Sequence, residues 1–199
     1  MSIETNIEVQ LTNRDRRSAF FRIILVLPIA IWAATLAPSS LSNTGNAMGG
    51  IGFLTLSVAL SLLFMGIYPS YLLTFNHALL ELHTRISAYV LLLTDRYPTI
   101  EGNDEISVIF PDIQGGATLS RGKAIIKWLL AIPAYLVGIL YALIALLLTL
   151  AGWFSILFTG NLPEFAGKFI YATITYWNDI FAYAFVLVTD EYPGFSLNL

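Results

Sequence analysis

Thr94-Asp95-Arg96-Tyr97-Pro98 closes one long apolar stretch, and Thr189-Asp190-Glu191-Tyr192-Pro193 closes another, 95 residues later. A repeated block constrains the fold more than any single residue does, because a unit that occurs twice must be able to pack on itself. Other matches keep the same order. Residues 25–29 (LVLPI) correspond to 130–134 (LAIPA) at an offset of 105. Residues 64–69 (FMGIYP) correspond to 158–163 (FTGNLP) at 94, as do Ala88-Tyr89 and Ala182-Tyr183. Upstream, Ile7-Glu8-Val9 and Arg16-Arg17 have counterparts in Ile106-Ser107-Val108 and Arg121-Gly122-Lys123. The chain reads as a tandem duplication, with a first repeat over 1–98 and a linker plus second repeat over 99–199. One large difference separates the copies. The first carries an extra polar, uncharged stretch, SSLSNTGNAMGG (39–50), whose Ser, Asn and Gly content predicts a loop.

Hydrophobic residues make up 57% of the chain and charged residues 12%, with a mean hydropathy of +0.74. A soluble domain has about 25% charged residues, so this chain has too little polar surface for water and reads as an all-α integral membrane protein. It has no cysteine, which excludes disulfides, Cys-ligated zinc and iron–sulfur clusters. A net charge of −3 without a basic run excludes nucleic acid as a partner. The polar N-terminus (MSIETNIEVQLTNRDRR) lacks a basic region leading into a short apolar core, so no cleavable signal peptide is expected.

Each copy opens with a run of period-2 alternation: Ile7, Val9 and Leu11 in the first, Ile106, Val108 and Phe110 in the second. This pattern predicts strands. In the first copy, apolar segments of spanning length follow at 19–37 and 51–68. In the second copy, 124–159 is nearly unbroken. A hairpin of two short spans is the favoured reading of that segment, and a single tilted helix bending near Pro133 is the alternative. Segment 70–93 is amphipathic, with Thr74, His77, Glu81, Thr84, Arg85 and Ala88 on one stripe. Segment 165–188 repeats the stripe as Lys168, Tyr171, Thr175, Asn178 and Asp179. Basic residues cluster at Arg14, Arg16, Arg17 and Arg22, and again at Arg121, Lys123 and Lys127. By the positive-inside rule both clusters are cytoplasmic, which lets the two strands pair. The expectation is four transmembrane helices, two amphipathic interfacial helices and a small strand pair, with five crossings as the alternative. The N- and C-termini are then both cytoplasmic.

Several blocks carry a family resemblance: Leu-Ser-Arg-Gly-Lys (119–123), Lys-Trp-Leu-Leu-Ala-Ile-Pro (127–133), Trp-Phe-Ser-Ile-Leu-Phe-Thr-Gly (153–160) and Leu-Leu-Leu-Thr-Asp-Arg-Tyr-Pro (91–98). With them the chain resembles a bacterial family of membrane proteins of unknown function, recognised by repeated Trp-Phe-x-Ile-Leu-Phe-Thr-Gly and Leu-Thr-Asp-Arg-Tyr-Pro blocks. The resemblance is best over 106–198, and the first copy departs from it with FMGIYP and the inserted loop. It implies a multi-pass protein of the bacterial inner membrane and carries no catalytic residues across.

The Asp-x-Tyr-Pro blocks read most simply as boundaries, since proline ends a helix and Tyr with charge marks the exit from hydrocarbon. His77, Glu81 and Arg85 lie at i, i+4 and i+8, one face of a helix. They form either a polar site or an ion-pair ladder on a solvated face. Gly138 and Gly152 are candidates for close helix approach. Arg85 corresponds to Asp179, and Arg96 to Glu191, both with reversed sign. These reversals predict that Arg85 approaches Asp179, or Arg96 approaches Glu191, between the copies. No Ser/His/Asp set, phosphate loop or zinc motif occurs, so no enzyme activity, cofactor or metal is expected. The reading that results is a non-enzymatic accessory or scaffold subunit of a larger membrane complex, in contact with lipids and other subunits. The alternatives are a small transporter or lipid-handling protein, and a membrane-shaping protein.

Overall fold

A computed structural model describes residues 3–36, 51–102 and 105–197 of the chain. The inserted polar stretch 39–50 lies outside the described residues. The elements run β1 (Glu4–Ile7), α1 (Arg16–Leu36), α2 (Ile51–Phe64), α3 (Ser70–Val90), β2 (Ile106–Ile109), α4 (Lys127–Leu130), α5 (Ile132–Thr159) and α6 (Glu164–Phe181). A single 3-10 turn, Gln114–Gly116, follows β2, and a π turn, Ala182–Val186, extends α6.

The two strands pair antiparallel, with Ile7 opposite Ile106 and Thr5 opposite Val108. The expected strand pair is therefore present. In the first half, though, it lies nearer the N-terminus than the Ile7–Leu11 alternation indicated. Ile3, Thr5 and Ile7 point inward while Glu4, Asn6 and Glu8 face out. The inner face of the pair rests on α3 and α6.

The expected hairpin in 124–159 is not formed. Residues Ile132–Thr159 make one helix of 28 residues. Nothing between 134 and 159 breaks it. Pro133 sits in its first turn, where a missing N–H costs no hydrogen bond. Gly138 and Gly152, buried on α5, permit close packing instead of a bend. A β-carbon at Gly138 would stand 3.1 Å from the Trp177 ring, and one at Gly152 would collide with Leu162. Ala134, Gly138 and Ala145 thus form a small-residue seam along which α6 lies antiparallel to α5. The corresponding proline of α1, Pro28, stands inside its helix because α1 begins earlier. Among the described residues two helices, within Arg16–Ala34 and Ile132–Thr159, are long and apolar enough to cross a membrane; α2 supplies a shorter apolar helix, Leu54–Phe64. That is fewer than the four spans expected.

Both long amphipathic helices end in the same unusual way. Leu92 (φ 68°) and Leu187 (φ 63°) adopt the left-handed conformation that leucine rarely visits. Leu93 N–H bonds to Ala88 O at 2.8 Å, and Val188 N–H bonds to Ala182 O at 3.1 Å. The second closure spans one residue more than the first. The π turn Ala182–Val186 takes up that residue, as π-helical turns take up a single extra residue in an α-helix.

Candidate functional site

The Thr-Asp motifs are each the acceptor of a buried cation. In the first half, Asp95 binds Arg22, and Arg14 at 2.8 Å, with both arginine side chains almost fully enclosed. Arg22 also donates to Tyr89 O and to Thr94 O, and its guanidinium lies over the Tyr89 ring at 4.5 Å. Tyr97 meets Tyr89 edge to face. The Asp15 N–H donates to the second Asp95 oxygen at 2.8 Å.

The second half builds the same cluster with one cation. Lys127, 1% exposed, binds Asp190 at 2.6 Å and donates to Thr189 O at 2.7 Å. Its ammonium lies 5.4 Å from the centre of the Tyr183 ring, and Tyr192 meets Tyr183 edge to face. The Ser120 N–H donates to the other Asp190 oxygen at 2.7 Å. Burial pushes the Asp190 carboxyl up, but Lys127 and Ser120 override it and hold it below the usual carboxylate range. Burial lowers the Lys127 ammonium, and Asp190 opposes that shift. In both halves the residue after the Asp-bearing step folds back: Arg96 N–H bonds to Thr94 Oγ1 and Glu191 N–H to Thr189 Oγ1. Sequence reasoning missed Arg22 and Lys127 as partners of the motifs. The signal was present, since each stands three residues before the matched LVLPI and LAIPA blocks.

The stripe on α3 is spent on structure. His77 Nε2 meets Val108 O at 2.6 Å, and Glu81 binds Arg85 at 2.6 Å while accepting from Val108 N–H at 3.4 Å. Arg85, 2% exposed, also donates to the carbonyls of Thr99, Ile100 and Glu101. Together these side chains tie α3 to β2 and to the segment that precedes it. Arg96 pairs with Glu105 at 2.7 Å. Asp179 is half-buried, and burial first and then Glu191 push its carboxyl up to about 6. The ion pair of Arg85 is with Glu81, four residues earlier on its own helix. One residue before Arg85 and Asp179 a buried polar contact does join the halves. Asn178 donates to Thr84 Oγ1 at 3.0 Å and to Thr5 Oγ1 at 3.1 Å, all three side chains buried.

A cavity of about 650 Å³ opens between the start of α2, α3, the middle of α5, and α6. Leu80, Leu143, Ile174, Trp177 and Phe181 give it an apolar lining, with His83 among its few polar members. Several of its polar groups are turned to protein partners: Asn76 to Tyr68 Oη, Asn178 to Thr84, Thr55 to Phe185 O, and His83 Nδ1 to Leu79 O. His77, Glu81 and Asp179 are not among its lining residues.

Residues 121–196 match the family model described as Domain of unknown function (DUF4389). The match takes in the Lys127–Asp190 cluster, α5 and α6. No curated protein and no solved structure matches the chain.

Proposed function

We propose that this chain is a non-enzymatic scaffold or accessory subunit of a bacterial inner-membrane complex, built by tandem duplication, with both termini on the cytoplasmic face. The observation that carries the reading is where the charges go. The carboxylates of both motifs, the cations beside them and the His77–Glu81–Arg85 stripe are all engaged with the chain's own strands and loops. What the long helices offer outward is apolar. Leu136, Leu140, Leu143, Leu147, Leu150 and Phe154 follow one stripe of α5, and all are exposed. Such a surface suits contact with lipid and with apolar helices of other subunits. The duplication is supported by the matched cation, Asp, Tyr and backbone donor in the two clusters. A photoreactive amino acid placed at Leu143 or Leu147, irradiated in intact bacterial membranes, is expected to give a discrete protein adduct. Lipid adducts alone at every stripe position overturn the scaffold reading.

The cavity favours lipid handling as a second reading. With a mostly apolar lining and several of its polar groups bonded to protein, it suits an acyl chain better than an ion. Trp177 in its wall is a built-in reporter. Phospholipid brominated along the chain is expected to quench that tryptophan, seen as a difference from Trp177→Phe. Equal quenching of the two proteins overturns this reading.

A further inference from the structure

We infer that the molecule seats in a single leaflet, with α1 and α5 lying along the bilayer and their apolar stripes turned to acyl chains, in place of four crossings. This goes beyond the scaffold reading and does not depend on it.

The first argument is the height of the strand pair relative to α5. Thr5 is held by α6 at two points: its carbonyl accepts from Tyr171 Oη at 2.8 Å, and its hydroxyl from Asn178 at 3.1 Å. That stretch of α6 runs beside the centre of α5, where Gly138 meets Tyr176 and Trp177, and Tyr141 meets Phe169 and Tyr176. Ala145, at the midpoint of α5, shares a core with Ile170, Ile174, Ile7 and Ile106. The strands therefore stand level with the middle of α5. Their outward side chains include Glu4, Asn6 and Glu8, all exposed. Were α5 to cross a bilayer, these carboxylates would sit near the centre of a ~30 Å hydrocarbon core, where an ionised group is least tolerated. A helix lying along the surface leaves them in water.

The second argument is the distance between the two basic clusters. At 1.5 Å per residue, α5 is about 42 Å long. Its start carries the Lys127–Asp190 cluster, with Arg121 and Lys123 exposed nearby. Its end meets the other cluster: Arg14 N–H donates to Gly160 O at 3.0 Å, and Trp153 Nε1 donates to Ala19 O at 2.9 Å. Arg16 and Arg17 are exposed there. A crossing α5 would place these two sets of cations on opposite sides of the membrane. Lying flat, it keeps both on the cytoplasmic side, where the positive-inside rule puts them.

The third argument is which side of α5 is bare. Leu140, Leu147 and Phe154 each stand two residues, about 200° of rotation, from Gly138, Ala145 and Gly152 on the packed seam. The exposed stripe is thus the face turned away from the packed seam. Phe20, Ile24, Leu27 and Ile31 of α1 make a second exposed row. An elongated apolar face beneath a polar upper layer is the form of a helix assembly held at the membrane interface.

The chain contains no cysteine, so single cysteines can be introduced directly. The full-length variants Glu4→Cys, Glu8→Cys, Arg17→Cys and Lys123→Cys are exposed to a membrane-impermeant maleimide in right-side-out and in inside-out bacterial vesicles. All four are expected to label only in inside-out vesicles, with Glu4 and Glu8 as reactive as the other two. Labelling of Arg17→Cys and Lys123→Cys from opposite sides overturns the inference. So does protection of Glu4→Cys and Glu8→Cys in both preparations while the other two react. One-sided labelling together with purely lipid adducts from the α5 stripe leaves the seating intact and removes only the scaffold reading.

Discussion

The two motif clusters are the same device set at different charge. Asp95 holds Arg14 and Arg22, whereas Asp190 holds Lys127 alone. Around them the backbone donor, the threonine and the pair of tyrosines recur. The carboxylate and its aromatic frame therefore define the cluster, and the number of cations is the variable. The difference also shows what each half joins. Arg14 reaches from the segment before α1, bonding Gln10 O and Leu93 O as well as Asp95, so the first cluster ties the N-terminal strand region to the end of α3. The second ties α4 to the end of α6 through one ammonium.

This contrast can be broken most sharply by removing the carboxylates. Asp95→Ala leaves two enclosed guanidiniums facing each other, and is expected to cost more than the ~3–5 kcal/mol usual for breaking a buried pair. Asp190→Ala strands one ammonium and is expected to fall within that range. Thermal unfolding in detergent compares the two, and equal losses would show that the second arginine is immaterial. Acid probes the second cluster separately. Because Asp190 is held below the usual range, its contribution is complete above about pH 4 and is lost as pH falls through the lowered value. The stability gap between the parent protein and Asp190→Ala should therefore be constant above about pH 4 and close only below it.

The glycines that close the two apolar stretches give a smaller test. Gly66 (φ 68°) and Gly160 (φ 78°) are both left-handed. Alanine at either costs about 1 kcal/mol from backbone strain. A β-carbon at Gly66 also overlaps the Arg121 guanidinium, whereas at Gly160 the nearest Arg16 atom is 3.6 Å away. Gly66→Ala is therefore expected to lower the melting temperature further than Gly160→Ala. The smallest effect is a gain. Asp179 is raised to about 6, so the fold disfavours its charged form. The penalty is absent below about pH 4, grows through pH 6 and is complete above it. Asp179→Asn is expected to stabilise by about 1 kcal/mol at pH 8, after discounting for solvent screening, and by nothing at pH 4. A gain that persists at pH 4 would assign the effect to packing.

Much of this organisation was legible in the sequence, and the exceptions have physical causes. The strand pair could be placed because two alternating runs had to share a side of the membrane. The unbroken 124–159 segment misled through its length. About 36 residues exceed one bilayer crossing, yet Pro133 falls in the first turn of α5 and Gly138 and Gly152 serve packing, so no residue there makes a turn in the middle of the helix. One buried polar contact between the halves lies a single position from the residues that the sequence singled out. Opposite charges drew attention to Arg85 and Asp179, but one residue on a helix is 100° of rotation, and Thr84 and Asn178 are the side chains turned towards each other. Offsets between motifs record sequence distance and say nothing of that angle.

The Thr84–Asn178 contact has one further consequence. A hydroxyl and a carboxamide each donate and accept, so two threonines or two asparagines could meet at that place as well as the present pair does. A charged pair could not tolerate identical partners. The contact at the centre of the molecule thus has a chemistry that two identical side chains could also supply.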